Sequence, residues 1–186
     1  MIYLLPVLAA ILLPLLFIRL GLPLYINWQT EKNLLILNFE DKKVATAGGV
    51  ILFLSLLLGY PFFPMLPFSL IFSPMLLFFY LFGVTFLGAI DDLWGEKECK
   101  GLRGHLKKFL RGEGVSTGIY KAAGGLLLGT FVSYRIYGGH WSFWFMGGLY
   151  LALLSNLFNL LDTRPGRVVK TFVLTSLPLI LYFNLA

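Results

Sequence analysis

FSLIFSPMLLFFYLFGVTFLGAIDD, residues 68–92, decides the class of this chain. From Phe68 to Ile90 it carries no charge, and it is long enough to cross the roughly 30 Å hydrocarbon core of a bilayer as a helix. It then stops on two adjacent aspartates, Asp91 and Asp92, and opens the most basic part of the sequence. Carboxylates at the mouth of a membrane span are costly unless a cation or a reaction uses them.

The rest of the chain has the same character. Of 186 residues, 58% are hydrophobic and 13% charged, and the mean hydropathy is +0.82, which excludes a soluble domain. Six spans are expected, near 1–18, 46–66, 68–90, 119–137, 143–161 and 171–186, the second interrupted by Pro61 and Pro64. Backbone polar groups must be satisfied internally in lipid, and the alternation a barrel needs is absent. The expectation is an all-α polytopic membrane bundle forming a single transmembrane domain, 1–186, with no repeat and no linker dividing it. Gly125 with Gly129, and Gly147-Gly148, offer flat patches where helices can approach closely.

Orientation follows from the cations. Segments 19–45, 91–121 and 163–170 hold every Lys and Arg except Arg135, from Arg19, Lys42 and Lys43 through Lys107 and Lys121 to Arg164, Arg167 and Lys170. By the positive-inside rule this face is cytoplasmic and the N-terminus is outside. The opposite rim is aromatic, with Tyr60, Tyr134, Tyr137, Trp141 and Trp144. A net charge of +6 then reads as attraction to anionic headgroups or an anionic substrate, and no soluble basic surface suggests a nucleic-acid partner. The first span lacks a basic leader and is expected to be retained. Cys99 is the single cysteine, so no intrachain disulfide forms. His105 and His140 fall on opposite sides and are read as incidental. Residues 101–111 place Leu102, Leu106, Phe109 and Leu110 at helical spacing among Arg and Lys, as a short amphipathic cytoplasmic helix would.

Three polar clusters share that cytoplasmic face. Thr46-Ala47-Gly48-Gly49 opens the second span: the glycines serve close packing, or they let a phosphate approach the backbone N–H groups beside Lys42 and Lys43. Asp91-Asp92 closes the third span, where the helix dipole disfavours acids and a Mg2+ ion would reverse the penalty. Asn156, Asn159 and Asp162 recur at i, i+3 and i+6 within one arc of the fifth span, either as interhelical glue or as a ligand-facing surface. Arg164 and Arg167 follow as a phosphate-sized positive patch. Together these groups suit phosphoryl transfer between a soluble nucleotide and a membrane-bound phosphate, with Mg2+ offsetting negative charge.

Thr46–Gly49, Gly88-Ala89-Ile90-Asp91-Asp92, Gly101-Leu102 with Lys107, and Asn156-Leu157-Phe158-Asn159-Leu160-Leu161-Asp162 resemble the polyprenyl-phosphate N-acetylhexosamine-1-phosphate transferases, in a shortened form. That superfamily includes phospho-N-acetylmuramoyl-pentapeptide transferase. The resemblance implies a Mg2+-dependent phosphoglycosyl transferase of bacterial cell-wall biogenesis, multi-pass in the cytoplasmic (inner) membrane. It would move a phospho-sugar from a UDP-sugar to polyprenyl phosphate and release UMP. It implies Asp91, Asp92 and Asp162 as catalytic residues, with Asp91 and Asp92 also holding the metal. Lys42, Lys43, Gly48, Gly49, Lys107, Asn156, Asn159, Arg164 and Arg167 would bind substrate.

The sequence also departs from that pattern. The family continues its Asn/Asp motif with Gly-x-Asp-Gly, whereas Asp162 is followed by Thr163-Arg164-Pro165-Gly166. A Gly-Asp-x-Gly-Ser element and a histidine-rich loop are missing from these 186 residues. The alternative expectation is therefore a catalytically degenerate relative that binds lipid phosphate or scaffolds envelope-synthesis proteins. On the transferase expectation the enzyme is minimal, or a homodimer or a partner membrane protein completes each cleft. A small proton-relaying transporter fits less well, because its acids belong nearer the midplane.

Overall fold

In the computed structural model, residues 3–38, 40–65, 73–95, 104, 110–112, 114–162 and 166–185 are described. The amphipathic segment 101–111 with Lys107 and His105, Cys99, and the turn holding Arg164 and Pro165 lie almost wholly outside them. The described chain is helical apart from one small hairpin. Four of its helical stretches, 4–31, 48–65, 74–94 and 141–161, are long and apolar enough to cross a membrane.

Helix α1, Leu4–Glu31, is the longest. Its 28 residues rise about 42 Å, more than a bilayer core requires. It does not end before Arg19 as the charge pattern suggested. Arg19 sits in mid-helix beside Leu12, Leu15 and Leu16, with an exposed stem long enough to carry its charge toward an interface. Pro14 and Pro23 are accommodated inside the helix.

A two-stranded antiparallel hairpin follows, β1 (Ile36–Leu37) with β2 (Lys43–Val44), paired Ile36 to Val44 and Leu37 to Lys43. Asn38 makes its turn, since Oδ1 accepts the N–H groups of Glu40 and Lys42 at 2.9 Å each. Asparagine side chains stabilise turns in this way. Helix α2, Gly48–Gly59, then runs back along α1 and tightens into a 3-10 turn, Tyr60–Met65, where prolines interrupt the α-helical ladder. Gly59 is needed there: a Cβ would stand 2.9 Å from the Ala10 carbonyl of α1.

Helix α3 spans Pro74–Trp94, so Asp91 and Asp92 lie within its last turn rather than beyond its end. Helices α4 (Thr117–Tyr137) and α5 (Trp141–Leu161) form the most extensive pair, joined by Gly138 and Gly139 at positive φ. Their seam depends on Gly129 and Gly148, since a Cβ on Gly129 would lie 2.6 Å from the Gly148 carbonyl. Gly125 faces open space, so the seam uses only the second member of that pair. Helix α6, Arg167–Leu185, touches α5 lightly.

Packing proceeds mainly between sequence neighbours, α1 on α2, α2 on α3, α3 on α4, and α4 on α5. Tyr80 adds a tie from α3 to α5 by donating to the Leu151 carbonyl at 3.0 Å. Few apolar side chains are enclosed among the described residues: Ala47, Ile51, Phe78 and Val132. Phe78 is ringed by Tyr60 at 4.5 Å and Phe63 at 5.6 Å between centroids. The many exposed Leu and Phe side chains are what a bundle presents to lipid, where exposure of apolar surface carries no penalty.

Candidate functional site

Alternating helix directions bring the end of α1, the start of α2, the end of α3 and the start of α4 to one end of the bundle. Contacts there are polar and specific. The innermost element is Gln29, fully buried, which pairs with the backbone of Thr46 as another peptide would. Its Nε2 donates to the Thr46 carbonyl at 2.7 Å, and its Oε1 accepts the Thr46 N–H at 2.8 Å. Tyr25 donates its hydroxyl to the carbonyls of Thr46 at 2.9 Å and Ala47 at 3.1 Å.

These bonds hold Ala47 in the left-handed region, φ +50°, a conformation that costs an L-residue about 1–2 kcal/mol. So placed, the Ala47 N–H donates to Asp92 Oδ2 at 3.1 Å. Asp92 thus caps a neighbouring helix. An acid is favoured at the α2 N-terminus by the same dipole that disfavours it at the α3 C-terminus.

Asp91 turns the other way. Its Oδ1 accepts the Thr117 hydroxyl at 2.9 Å, and its Oδ2 pairs with the Lys121 ammonium at 3.1 Å. Both partners of that ion pair are mostly buried, at 22% and 26% side-chain exposure, so it is more than a solvated surface contact. Adjacent residues on a helix point about 100° apart, which is why the two aspartates serve different neighbours.

Asp162 closes α5 on the same side. It lies close enough to act electrostatically on Asp92, as do Asp91 and Lys121. Asn156, Asn159 and Asp162 are all exposed, and their side chains make no hydrogen bond among the described residues, so those polar groups are available. Arg167 begins α6, exposed, just after Gly166 at φ +74°. Lys42 pairs with Glu40 at 2.7 Å on the exposed hairpin turn, and Lys43 is exposed in β2. Lys107 and Arg164 lie outside the described residues.

The diglycine is not there to relieve packing. A Cβ on Gly48 would meet nothing within 4 Å, and one on Gly49 would reach Thr85 at an ordinary 3.8 Å. The entrance to α2 is open.

For Mg2+ the fit is partial. Among the described residues no three His, Cys, Asp or Glu side chains gather closely enough to hold a metal by themselves. Asp91 has both oxygens engaged, whereas Asp92 is exposed and uses one. One carboxylate with substrate phosphates and water is a common Mg2+ environment, so Asp92 suits the ion better than the pair does.

Tyr25, Gln29, Thr117 and Lys121 were not singled out from sequence. Gln29 had a faint signal as an uncharged polar residue near the end of a long apolar run, and Lys121 as a cation one turn into a span. Comparison of the chain with protein-family models, curated proteins and solved structures gives no match. Any functional reading therefore rests on the motifs and on this geometry.

Proposed function

We propose that this protein is a membrane sugar-1-phosphate transferase of the polyprenyl-phosphate type, working at the cytoplasmic face of a bacterial inner membrane. All six helices then cross the bilayer with the N-terminus outside. The observation that carries the reading is the Asp91–Lys121 ion pair lying beside the Asp92 cap on Ala47 at one end of the bundle, with Asp162 ending α5 on the same side.

In this reading an oxygen of the lipid phosphate attacks the sugar-bearing phosphorus of a UDP-sugar. The bond from that phosphorus to UMP breaks, and UMP leaves with the electron pair. Lys121 and Arg167 neutralise phosphate charge, while Asp92 orients the attacking group. Asn156, Asn159 and Asp162 face the nucleotide-sugar. Gly48 leaves room for a phosphate at the entrance to α2. Mg2+, held by Asp92 and phosphate oxygens, would supply further charge neutralisation.

The test uses purified protein in detergent with undecaprenyl phosphate, Mg2+ and a panel of UDP-N-acetylhexosamines. UMP release is expected, and Asp92→Asn should abolish it. If no UMP appears above the variant's background with any sugar, the transferase reading fails.

A second reading is favoured by the structural use of both aspartates, one as a helix cap and one in an ion pair. A non-catalytic relative that binds lipid phosphate, alone or with a partner membrane protein, would keep those contacts and release no UMP.

A further inference from the structure

Helix α1 meets the bundle by one side. Gly59 lies against Ala10 and Pro14, Gly21 lies against Ile51, and Tyr25 and Gln29 bond to the backbone at Thr46. Arg19 is on the other side, about 140–160° round the helix from Pro14 and Gly21. It is exposed there and makes no ion pair among the described residues.

Arg19 is also deep. Tyr25 marks the polar end of α1, since its hydroxyl donates to the Ala47 carbonyl at 3.1 Å. Arg19 precedes Tyr25 by six residues, which sets it about 9 Å into the apolar run. A hollow of about 310 Å³ opens on this face, lined by Arg19 with Leu12, Leu15 and Leu16. All three leucines are N-terminal to Arg19, so the hollow runs away from the polar end, the direction in which helical side chains lean. Charged groups within a membrane span ordinarily pair with another polar or charged group.

The chain does not supply that group. Its nine acidic residues fall within 31–41, 91–113 and at 162, and none stands in an apolar run at the level of Arg19. A second copy would insert with the same orientation and set Arg19 against Arg19. Headgroup phosphates lie outside the hydrocarbon core, whereas the hollow extends inward. The face itself is suited to a helix. Leu8, Leu12, Leu15, Arg19, Leu22 and Ile26 recur at alternating steps of four and three, which aligns them in one seam, and all are exposed. One polar position in such a seam fixes register and partner.

We propose that this side of α1 docks a transmembrane helix of another membrane protein, one that carries a carboxylate within its span and pairs it with Arg19. The seam and its cation do not depend on the proposed function.

The probe is a Lys-flanked polyleucine peptide of about 20 residues with one Glu near its middle, long enough to span a bilayer. Resonance energy transfer measures its association with the full chain in phosphatidylcholine vesicles, beside a peptide with Gln in place of the Glu. The Glu peptide should bind about tenfold more tightly, through a charge-assisted pair in a low dielectric. Arg19→Leu should remove that preference, and Arg19→Lys should keep part of it. Thermal unfolding of Arg19→Leu should match wild type, because the side chain faces outward. Leu15→Trp fills the hollow and should weaken the Glu peptide, whereas Leu24→Trp, exposed on another side of α1, should not. Equal binding of the two peptides, or a preference that survives Arg19→Leu, overturns the proposal. Loss of the preference in vesicles containing phosphatidylglycerol overturns it by giving Arg19 to a headgroup. Self-association of the chain that Leu15→Trp abolishes overturns it by giving the seam to a second copy.

Discussion

The carboxylate of Asp92, in the last turn of α3, accepts the N–H of Ala47 at the start of α2 across 3.1 Å. One bond between residues 45 apart in sequence therefore joins two helices, and it uses a carboxylate to which the proposed function also gives a role. Removing the acceptor should cost both stability and function, and two substitutions separate them. Asp92→Ala loses the cap and should lower stability by about 1 kcal/mol. Asp92→Asn keeps a side-chain oxygen for Ala47 and should retain most of that stability while abolishing UMP release. Thermal unfolding in detergent, read beside the UMP assay, checks both.

Gln29 is the second structural anchor. Gln29→Leu preserves bulk but leaves the Thr46 N–H without its partner in a buried site and the Thr46 carbonyl with Tyr25 alone. A loss of about 2 kcal/mol or more is expected, since each unmade buried bond costs about 1–3 kcal/mol. The left-handed Ala47 should also be less well held, so Ala47→Gly, which adopts that conformation freely, should recover part of the loss. No difference between Gln29→Leu alone and the double variant in a detergent unfolding series would argue against that coupling.

Asp91 and Lys121 should behave as a unit. Lys121→Met strands a mostly buried carboxylate and should destabilise by about 1–3 kcal/mol. Adding Asp91→Asn removes the stranded charge, so the double variant should be more stable than Lys121→Met. A double-mutant cycle on unfolding midpoints gives the coupling directly, and simple additivity would show that the pair is not one interaction.

The glycines divide by their surroundings. Gly129→Val forces side-chain atoms onto the Gly148 backbone and should splay α4 from α5, costing about 1–3 kcal/mol or more. Gly48→Ala meets no atom within 4 Å and should leave stability unchanged or slightly raised. If Gly48 keeps the α2 entrance open for phosphate, the same substitution should still slow UMP release. Parallel unfolding and activity measurements distinguish a packing glycine from an access glycine.

Much of this was legible from residue order. Uncharged runs of span length marked apolar helices, and Pro61 and Pro64 marked where the second one tightens. Gly147-Gly148 marked a close approach that the α4–α5 seam indeed uses. Helix ends were less legible. Glu31 ends α1 twelve residues beyond Arg19, because a long cationic side chain can be carried on a membrane helix by its own stem. The hairpin at 36–44 gave only the local signal of Asn38 and Asp41, since two paired residues per strand leave no periodicity to read.

Chain order alone determined the apolar class, the run of helices and the presence of Asp91-Asp92 and Asp162 at helix ends, because hydropathy and charge are local properties. Only the tertiary structure decided what each acid meets. Rotation by one residue sends Asp91 to Thr117 and Lys121 and Asp92 to Ala47, and no spacing rule specifies which neighbouring helix lies on either side. Gln29 and Tyr25 belong to the same category: their partners are backbone groups across a helix pair, and backbone groups carry no sequence signature.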